Sequence, residues 1–195
     1  FRLSLADRNF RRFLLGRMLT TAGFCILPFV AVHYTSSEGG SLPAAQVVTL
    51  GVLMSAGGAF SNVAFGWIGD RRGHRVGVTV EAALQGLALA IVLHVPGPVG
   101  CAAAYLVVGL FGGAGNVANV NMILETCPHD HRLSHITVAN LVLSARSVFP
   151  LLAGLIVARF GFAVVLRGSL ALSIAAAAWY LFLVREPRQR TDGAA

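Results

Sequence analysis

Six stretches of mostly apolar residues follow one another along this chain, and each is long enough to cross a lipid bilayer as a helix. A transmembrane helix needs about 20 such residues, and a helix satisfies internally the backbone polar groups that lipid cannot. The predicted spans are residues 13–34, 45–68, 76–95, 99–124, 135–157 and 164–184. The sequence therefore predicts an all-α polytopic membrane protein, with residues 1–195 forming a single six-helix bundle.

Composition agrees with this class, since 56% of the residues are hydrophobic, 12% are charged and the mean hydropathy is +0.74. A soluble domain of this size cannot bury so much apolar surface. The net charge of +7 comes from arginines scattered at span ends rather than gathered on one face, which argues against nucleic acid as a partner. Three isolated cysteines predict no disulfide framework, and no cofactor is expected.

The distribution of arginine between alternate loops predicts the orientation. All 15 basic residues are arginine; eleven lie at the two termini and in the second and fourth loops, against two, Arg159 and Arg167, on the opposite side. The positive-inside rule then places both termini in the cytoplasm, and we expect a bacterial inner (plasma) membrane location. The chain begins at Phe1, so we also expect it to be part of a longer protein.

An internal correspondence predicts a repeat. Four residues of the second span and its loop match four near the end of the fifth span at one constant offset: Gly66, Ile68, Arg71 and Gly73 against Gly154, Ile156, Arg159 and Gly161. Each set closes the second helix of a three-helix unit. Because three spans separate the copies, the second unit is inverted in the membrane, giving a 3+3 inverted repeat.

The loop between the second and third spans resembles a known family signature. Residues 66–75 read GWIGDRRGHR, similar to the major facilitator superfamily (MFS) pattern of Gly, three residues, Asp-Arg, any residue, Gly and two basic residues. The one departure is His74, where that family usually has Arg or Lys. The opening NFRRF at residues 9–13 and the closing REP at residues 185–187 resemble the start and end of a C-terminal half.

This resemblance covers nearly the whole chain and implies one six-helix half of a twelve-helix transporter. It implies secondary active transport of a small solute by alternating access. The expected partners are the substrate, the lipid bilayer, a coupling proton, and either the other six-helix half or a second copy. In such a half the first, second, fourth and fifth spans line the cavity, so the candidate pathway residues are Thr20, Thr21, Asn62, Asn116, Asn119, Asn140 and Arg146.

Arg146 stands out because it lies near the middle of the fifth span, where an unpaired charge costs several kcal/mol. Two interpretations stay open. Arg146 either contacts an anionic or polar substrate or an acidic residue of the other half, or it forms a structural ion pair or snorkels to the interface. Arg17 is expected to snorkel, and Glu81 is expected to be a structural partner near the cytoplasmic loop.

Charged residues predicted on the cytoplasmic side form a second candidate site. By resemblance, such charges make a network that holds one conformation closed; the alternative is a set of solvated surface charges. Gly66 is expected to let two helices approach each other closely. The predicted gating residues are Gly66, Asp70, Arg71, Gly73, Arg75, Glu125 and Arg132.

Other function classes fit the sequence less well. An intramembrane hydrolase lacks support because no Gly-x-Ser-Gly occurs and every histidine lies at a span end or in a loop. The spacing of Cys127, His129, His131 and His135 matches no closed zinc pattern, so no metal site is predicted. A non-transporting membrane scaffold or assembly subunit, or a half-size protein working as a homodimer, stays open as an alternative.

Overall fold

The computed structural model describes residues 7–126, 132–144 and 147–187. Within these ranges the secondary structure is helical and contains no strand, which confirms the all-α prediction. The helices are Arg8–Gly23, Val30–Thr35, Ala44–Leu50, Val52–Arg72, His74–His94, Gly97–Thr126, Arg132–Ser144, Phe149–Phe160 and Phe162–Leu183, with a 3-10 segment at Phe24–Phe29.

These segments make six helices long and apolar enough to cross a membrane. The six spans are Arg8–Thr35, Ala44–Arg72, His74–His94, Gly97–Thr126, Leu133–Phe160 and Phe162–Leu183.

The first span begins at Arg8, before the predicted start at Phe13. The reason is a helix cap: the Asp7 carboxylate accepts from the backbone N–H groups of Asn9 and Phe10 at 2.7 and 3.1 Å, so the basic residues that follow are already helical.

The first span changes helix type at its middle. Phe24–Phe29 is a 3-10 segment that contains Pro28. Proline has no backbone N–H to donate and its ring crowds the preceding turn, so a regular α-helix is interrupted there. The segment lies directly after Gly23 and separates the first part of the span, Arg8–Gly23, from the last part, Val30–Thr35.

Glycines bring the second and fourth spans into backbone contact. A Cβ on Gly109 would collide with the carbonyl of Met54, and a Cβ on Gly57 would meet the carbonyl of Leu106 at 2.5 Å. Close approach through small residues is how membrane helices gain packing energy. The expectation for Gly66 was wrong, because a Cβ there meets nothing within 4 Å.

The loops after the second and fifth spans share one backbone conformation. Gly73 has φ 85° and ψ 162°, and Gly161 has φ 81° and ψ 168°. In each loop the glycine N–H closes the helix by donating to the carbonyl four residues earlier, Gly69 at 3.0 Å and Val157 at 2.8 Å. This region of φ and ψ is nearly restricted to glycine, so both positions need that residue.

The sixth span packs against the first and third. Trp179 Nε1 donates to the carbonyl of Arg12 at 2.8 Å, and the ring of Tyr180 is fully buried beside Phe13. Beyond the span, Asn9 both donates to the Arg185 carbonyl at 2.9 Å and accepts from its N–H at 2.8 Å. These contacts hold the start of the first span against the end of the sixth.

Candidate functional site

A cavity of about 410 Å³ lies between the first five spans. Its lining contains charged, amide and hydroxyl side chains together with the apolar residues Phe24, Met54, Val108, Phe111 and Leu143 and glycines of the second and fourth spans. The polar residues are Arg17, Thr20, Thr21, Asn62, Glu81, Gln85, Asn116 and Asn119.

A buried ion pair forms one side of this cavity. Arg17 Nη1 lies 2.8 Å from both oxygens of Glu81, and the two side chains are only 13% and 6% exposed. Charges in a membrane-spanning bundle are tolerated when they pair and face protein or a water-filled cavity. The pair joins the first span to the third.

Asn119 adds the fourth span to this cluster. Its Nδ2 donates to Glu81 Oε2 at 3.1 Å and to the Gly115 carbonyl at 2.6 Å. Both partners can only accept, which fixes the orientation of the Asn119 amide and leaves its Oδ1 as a buried acceptor without a partner in the described chain. Glu81 therefore holds three hydrogen bonds, from Arg17 and Asn119.

Gln85 lies one helical turn beyond Glu81 and is completely buried. Its Nε2 donates to the Thr20 carbonyl and to Ser173 Oγ, both at 3.0 Å, while Ser173 Oγ itself donates to the Ser169 carbonyl. The Gln85 amide orientation is thus fixed in the same way. Its Oε1 is a second buried acceptor without a partner among the described residues.

Five predicted pathway residues share this cavity: Thr20, Thr21, Asn62, Asn116 and Asn119.

The two predicted residues of the fifth span are placed differently. Asn140 is exposed and does not line the cavity. The residue of the fifth span that does line it is Leu143. Arg146 lies outside the described residues. The pathway role of these candidates stays a prediction.

Two cavity residues were assigned other roles from the sequence. Arg17 was expected to snorkel, which is wrong because its guanidinium binds Glu81 in the interior. Glu81 was treated as a structural partner on a supporting helix, and it does pair, but the pair faces the cavity. Gln85 was missed. The available signal was Glu81 and Gln85 four residues apart, which puts both on one face of an otherwise apolar helix.

The predicted gating loop makes contacts with the end of the sixth span. Glu186 Oε2 accepts from the backbone N–H of Arg75 at 2.9 Å, and Arg75 Nη2 donates to the Leu181 carbonyl at 2.8 Å. A carboxylate at the first turn of the third helix complements its dipole. Glu186 was not among the predicted gating residues. Its carboxylate occupies the place where a Cβ on Gly73 would lie.

The remaining gating candidates are placed around that loop. His74 Nε2 lies 3.5 Å from Glu125 Oε1, and the Arg71 guanidinium lies 4.1 Å from the centre of the Trp67 ring. Asp70 is exposed. The side chain of Arg132 lies outside the described part of the chain.

The residues considered for a metal site are mostly beyond the described ranges. Cys127, His129 and His131 lie there, whereas His135 is buried with its ring 4.8 Å from that of Phe10. Within residues 7–126, 132–144 and 147–187, no group of three potential ligands is close enough to hold a metal ion.

Comparison with known proteins identifies the family. The family profile described as Major Facilitator Superfamily matches residues 6–195, nearly the whole chain. The chain belongs to the Major Facilitator Superfamily. No curated protein and no solved structure matches it significantly.

Membership in the MFS, together with six apolar helices, makes this chain an integral membrane protein and a transporter of the major facilitator type. Members of the family are transporters rather than enzymes. The cavity and its buried ion pair are therefore the part of this MFS chain in which to look for the transported solute.

Proposed function

We propose that this chain is one half of a secondary active transporter and that the cavity between its first five spans is the substrate pathway. The observation that carries the proposal is the group of polar lining residues around the Arg17–Glu81 pair in an otherwise apolar bundle. Polar groups inside a membrane are costly, and they typically mark substrate and ion pathways. Thr20, Thr21, Asn62, Asn116 and Asn119 are the solute contacts in this proposal, with Arg146 as a further contact from the fifth span.

The bundle is proposed to be a 3+3 inverted repeat. The matching conformations of Gly73 and Gly161, at equivalent points of the two three-helix units, support it. In inverted-repeat transporters one unit or half rocks against another around a central site. The other half of the cavity is then supplied by a second six-helix half or by a second copy of this chain.

Glu81 is the proposed acceptor of a coupling proton. It is the one carboxylate among the described cavity residues, and protonation removes the charge that holds the Arg17 guanidinium. That loss shifts the equilibrium between a conformation in which Arg17 and Glu81 are paired and one in which they are apart. The Arg75–Glu186 and His74–Glu125 contacts are the proposed cytoplasmic gate, with both termini in the bacterial cytoplasm.

Transport is tested with the full-length protein in proteoliposomes, using a panel of radiolabelled solutes with and without a proton gradient. We expect at least one solute to accumulate only with the gradient. Glu81→Gln is expected to abolish gradient-driven accumulation while retaining exchange. The matched control is Glu38→Gln, the same substitution at an exposed carboxylate outside the cavity, which should leave both activities unchanged.

Alternating access is tested independently of the substrate. A cysteine replacing Asn116 on the cavity wall, in a background without Cys25, Cys101 and Cys127, should react with an impermeant thiol reagent from either side of the membrane. Labelling from one side only, together with no gradient-driven accumulation, would show that the chain is a scaffold rather than a transporter.

A further inference from the structure

Two arginine side chains from different spans hold the end of the sixth span. Arg12 Nη1, on the first span, donates to the Leu183 carbonyl at 3.1 Å. Arg75 Nη2, at the start of the third span, donates to the Leu181 carbonyl at 2.8 Å. The last carbonyls of a helix have no partner within the helix, and basic side chains can supply one. These contacts fix both guanidinium groups at the same end of the bundle.

The two guanidinium groups are near each other as well as fixed. Carbonyl oxygens two residues apart in an α-helix are separated by about 5 Å. The two nitrogens that bind them at 3.1 and 2.8 Å are therefore at most about 11 Å apart. One phospholipid headgroup is large enough to contact both groups.

Most of the donors on these two guanidinium groups are not used by the protein. A guanidinium carries five N–H groups, and each of these arginines uses one nitrogen for the helix carbonyl. Within the described ranges, no carboxylate oxygen lies within 4 Å of either group. The Glu186 carboxylate accepts from the backbone N–H of Arg75 instead. Together with the exposed Arg185, the two arginines outnumber that carboxylate and leave an excess of positive charge.

The surface of the sixth span beside the two arginines is apolar and faces outward. Phe182 lies between the two capped carbonyls in sequence and is 78% exposed, whereas Tyr180 is fully buried. Residues two apart on a helix point about 200° apart, so Phe182 faces away from the interior side that Tyr180 occupies. Ile174, about two turns earlier on the same face as Phe182, is 61% exposed.

Lipid fits this outward face better than a second six-helix half does. Among the described residues that line the cavity, none comes from the sixth span, so the half proposed to complete the cavity lies on another side. The outward face then meets acyl chains, and the arginines at its end meet headgroups. Arginine binds phosphate through paired N–H donors, and basic sites between membrane helices favour anionic lipids.

We propose that Arg12 and Arg75 bind the phosphate of an anionic phospholipid whose acyl chain lies along Phe182 and Ile174. The bound lipid joins the first, third and sixth spans at their common end, so membrane composition contributes to holding this end of the bundle together. The inference goes beyond the proposed function and does not depend on transport.

The test measures which phospholipid contacts Trp179 in the full-length protein, reconstituted in phosphatidylcholine bilayers with every other tryptophan replaced by phenylalanine. Trp179 is half-buried, lies one turn before Phe182, and donates to the Arg12 carbonyl. Brominated acyl chains quench a tryptophan that they touch, so brominated phosphatidylglycerol and brominated phosphatidylcholine each report their own binding. We expect phosphatidylglycerol to bind at least about threefold more tightly, because only its headgroup carries a net negative charge.

Three substitutions separate this site from the general attraction of a basic surface. Arg12→Gln and Arg75→Gln each remove one guanidinium and should lower the binding ratio between the two lipids, and the double variant should bring it to about one. Arg11→Gln removes the same charge from an exposed neighbouring position and should leave the ratio unchanged. A ratio depends little on the folded fraction, and the ratio of the protein with both arginines decides if the double variant does not fold.

Equal binding of the two lipids to the protein with both arginines would overturn the inference. An equal loss of preference in Arg11→Gln and Arg12→Gln would overturn it too, because it would indicate surface charge alone. We expect the preference to persist when inorganic phosphate is added; its loss would show a site for a free anion rather than for a lipid. Transport is judged separately by accumulation in proteoliposomes, since the lipid ratio needs no turnover.

Discussion

The buried Arg17–Glu81 pair predicts a specific pattern of stability in a double-mutant cycle. Arg17→Met leaves the Glu81 carboxylate without its guanidinium, and Glu81→Gln leaves the guanidinium without its charge partner. Removing one member of a buried pair costs about 3–5 kcal/mol, because the other charge stays buried and uncompensated. For each single variant we expect a loss of unfolding free energy at the lower end of this range, about 3 kcal/mol, because the two residues face a cavity and Asn119 still donates to position 81.

The double variant Arg17→Met/Glu81→Gln carries no unpaired charge at this place. Its free energy of unfolding is expected to lie closer to that of the unsubstituted protein than either single variant does, with a coupling energy of at least about 3 kcal/mol between the two sites. The measurement is reversible unfolding in mixtures of dodecyl maltoside and SDS, followed by tryptophan fluorescence. Glu38→Gln, an exposed carboxylate, is the control and should change stability by less than about 0.5 kcal/mol.

The predicted coupling is refuted if the two single losses add up to the loss of the double variant within about 0.5 kcal/mol. Additivity would show that the two side chains do not interact in the membrane-embedded protein. A loss of less than about 1 kcal/mol in both single variants would contradict it equally, because a desolvated and unpaired charge costs more than that.

Three further outcomes are expected. Gly109→Ala should destabilise by about 1–3 kcal/mol in the same unfolding assay because its Cβ meets a backbone carbonyl, whereas Gly112→Ala, with nothing within 4 Å, should be neutral or stabilising. Gly73→Ala and Gly161→Ala should each cost about 1–3 kcal/mol from positive φ, and the loss should be larger at Gly73, where the Cβ also meets a carboxylate. A cysteine replacing the exposed Ser37 should react with an impermeant thiol reagent only from outside; reaction only from inside would reverse the proposed orientation.

The all-helical fold was predictable because span length and apolar content are set by bilayer thickness rather than by tertiary contacts. Details that depend on local hydrogen bonding were not predicted. The Asp7 cap moved the start of the first span to Arg8, and Pro28 placed a 3-10 segment inside it. Both residues are visible in the sequence, but hydropathy treats them only as breaks in an apolar run.

The cavity was predicted in part, because sequence gives depth along a helix but not direction around it. Counting 1.5 Å per residue from the helix starts at Arg8 and His74, Arg17 lies about 14 Å and Glu81 about 10 Å along their spans. The two charges are thus close in depth, which permits a pair. Whether they face each other depends on how the first and third spans are rotated, and apolar helices buried on several sides give no clear hydrophobic stripe from which to read it.

The contacts of the polar cluster also bear on how such a half would move. Arg17, Glu81 and Asn119 join the first, third and fourth spans, and Gln85 adds the sixth through Ser173. Sliding any one of these helices along another would separate buried polar groups without water to replace their partners, which is costly in a low-dielectric interior. These four spans are therefore expected to move together. Alternating access in the proposed transporter then requires rotation of this half as a rigid body against its counterpart.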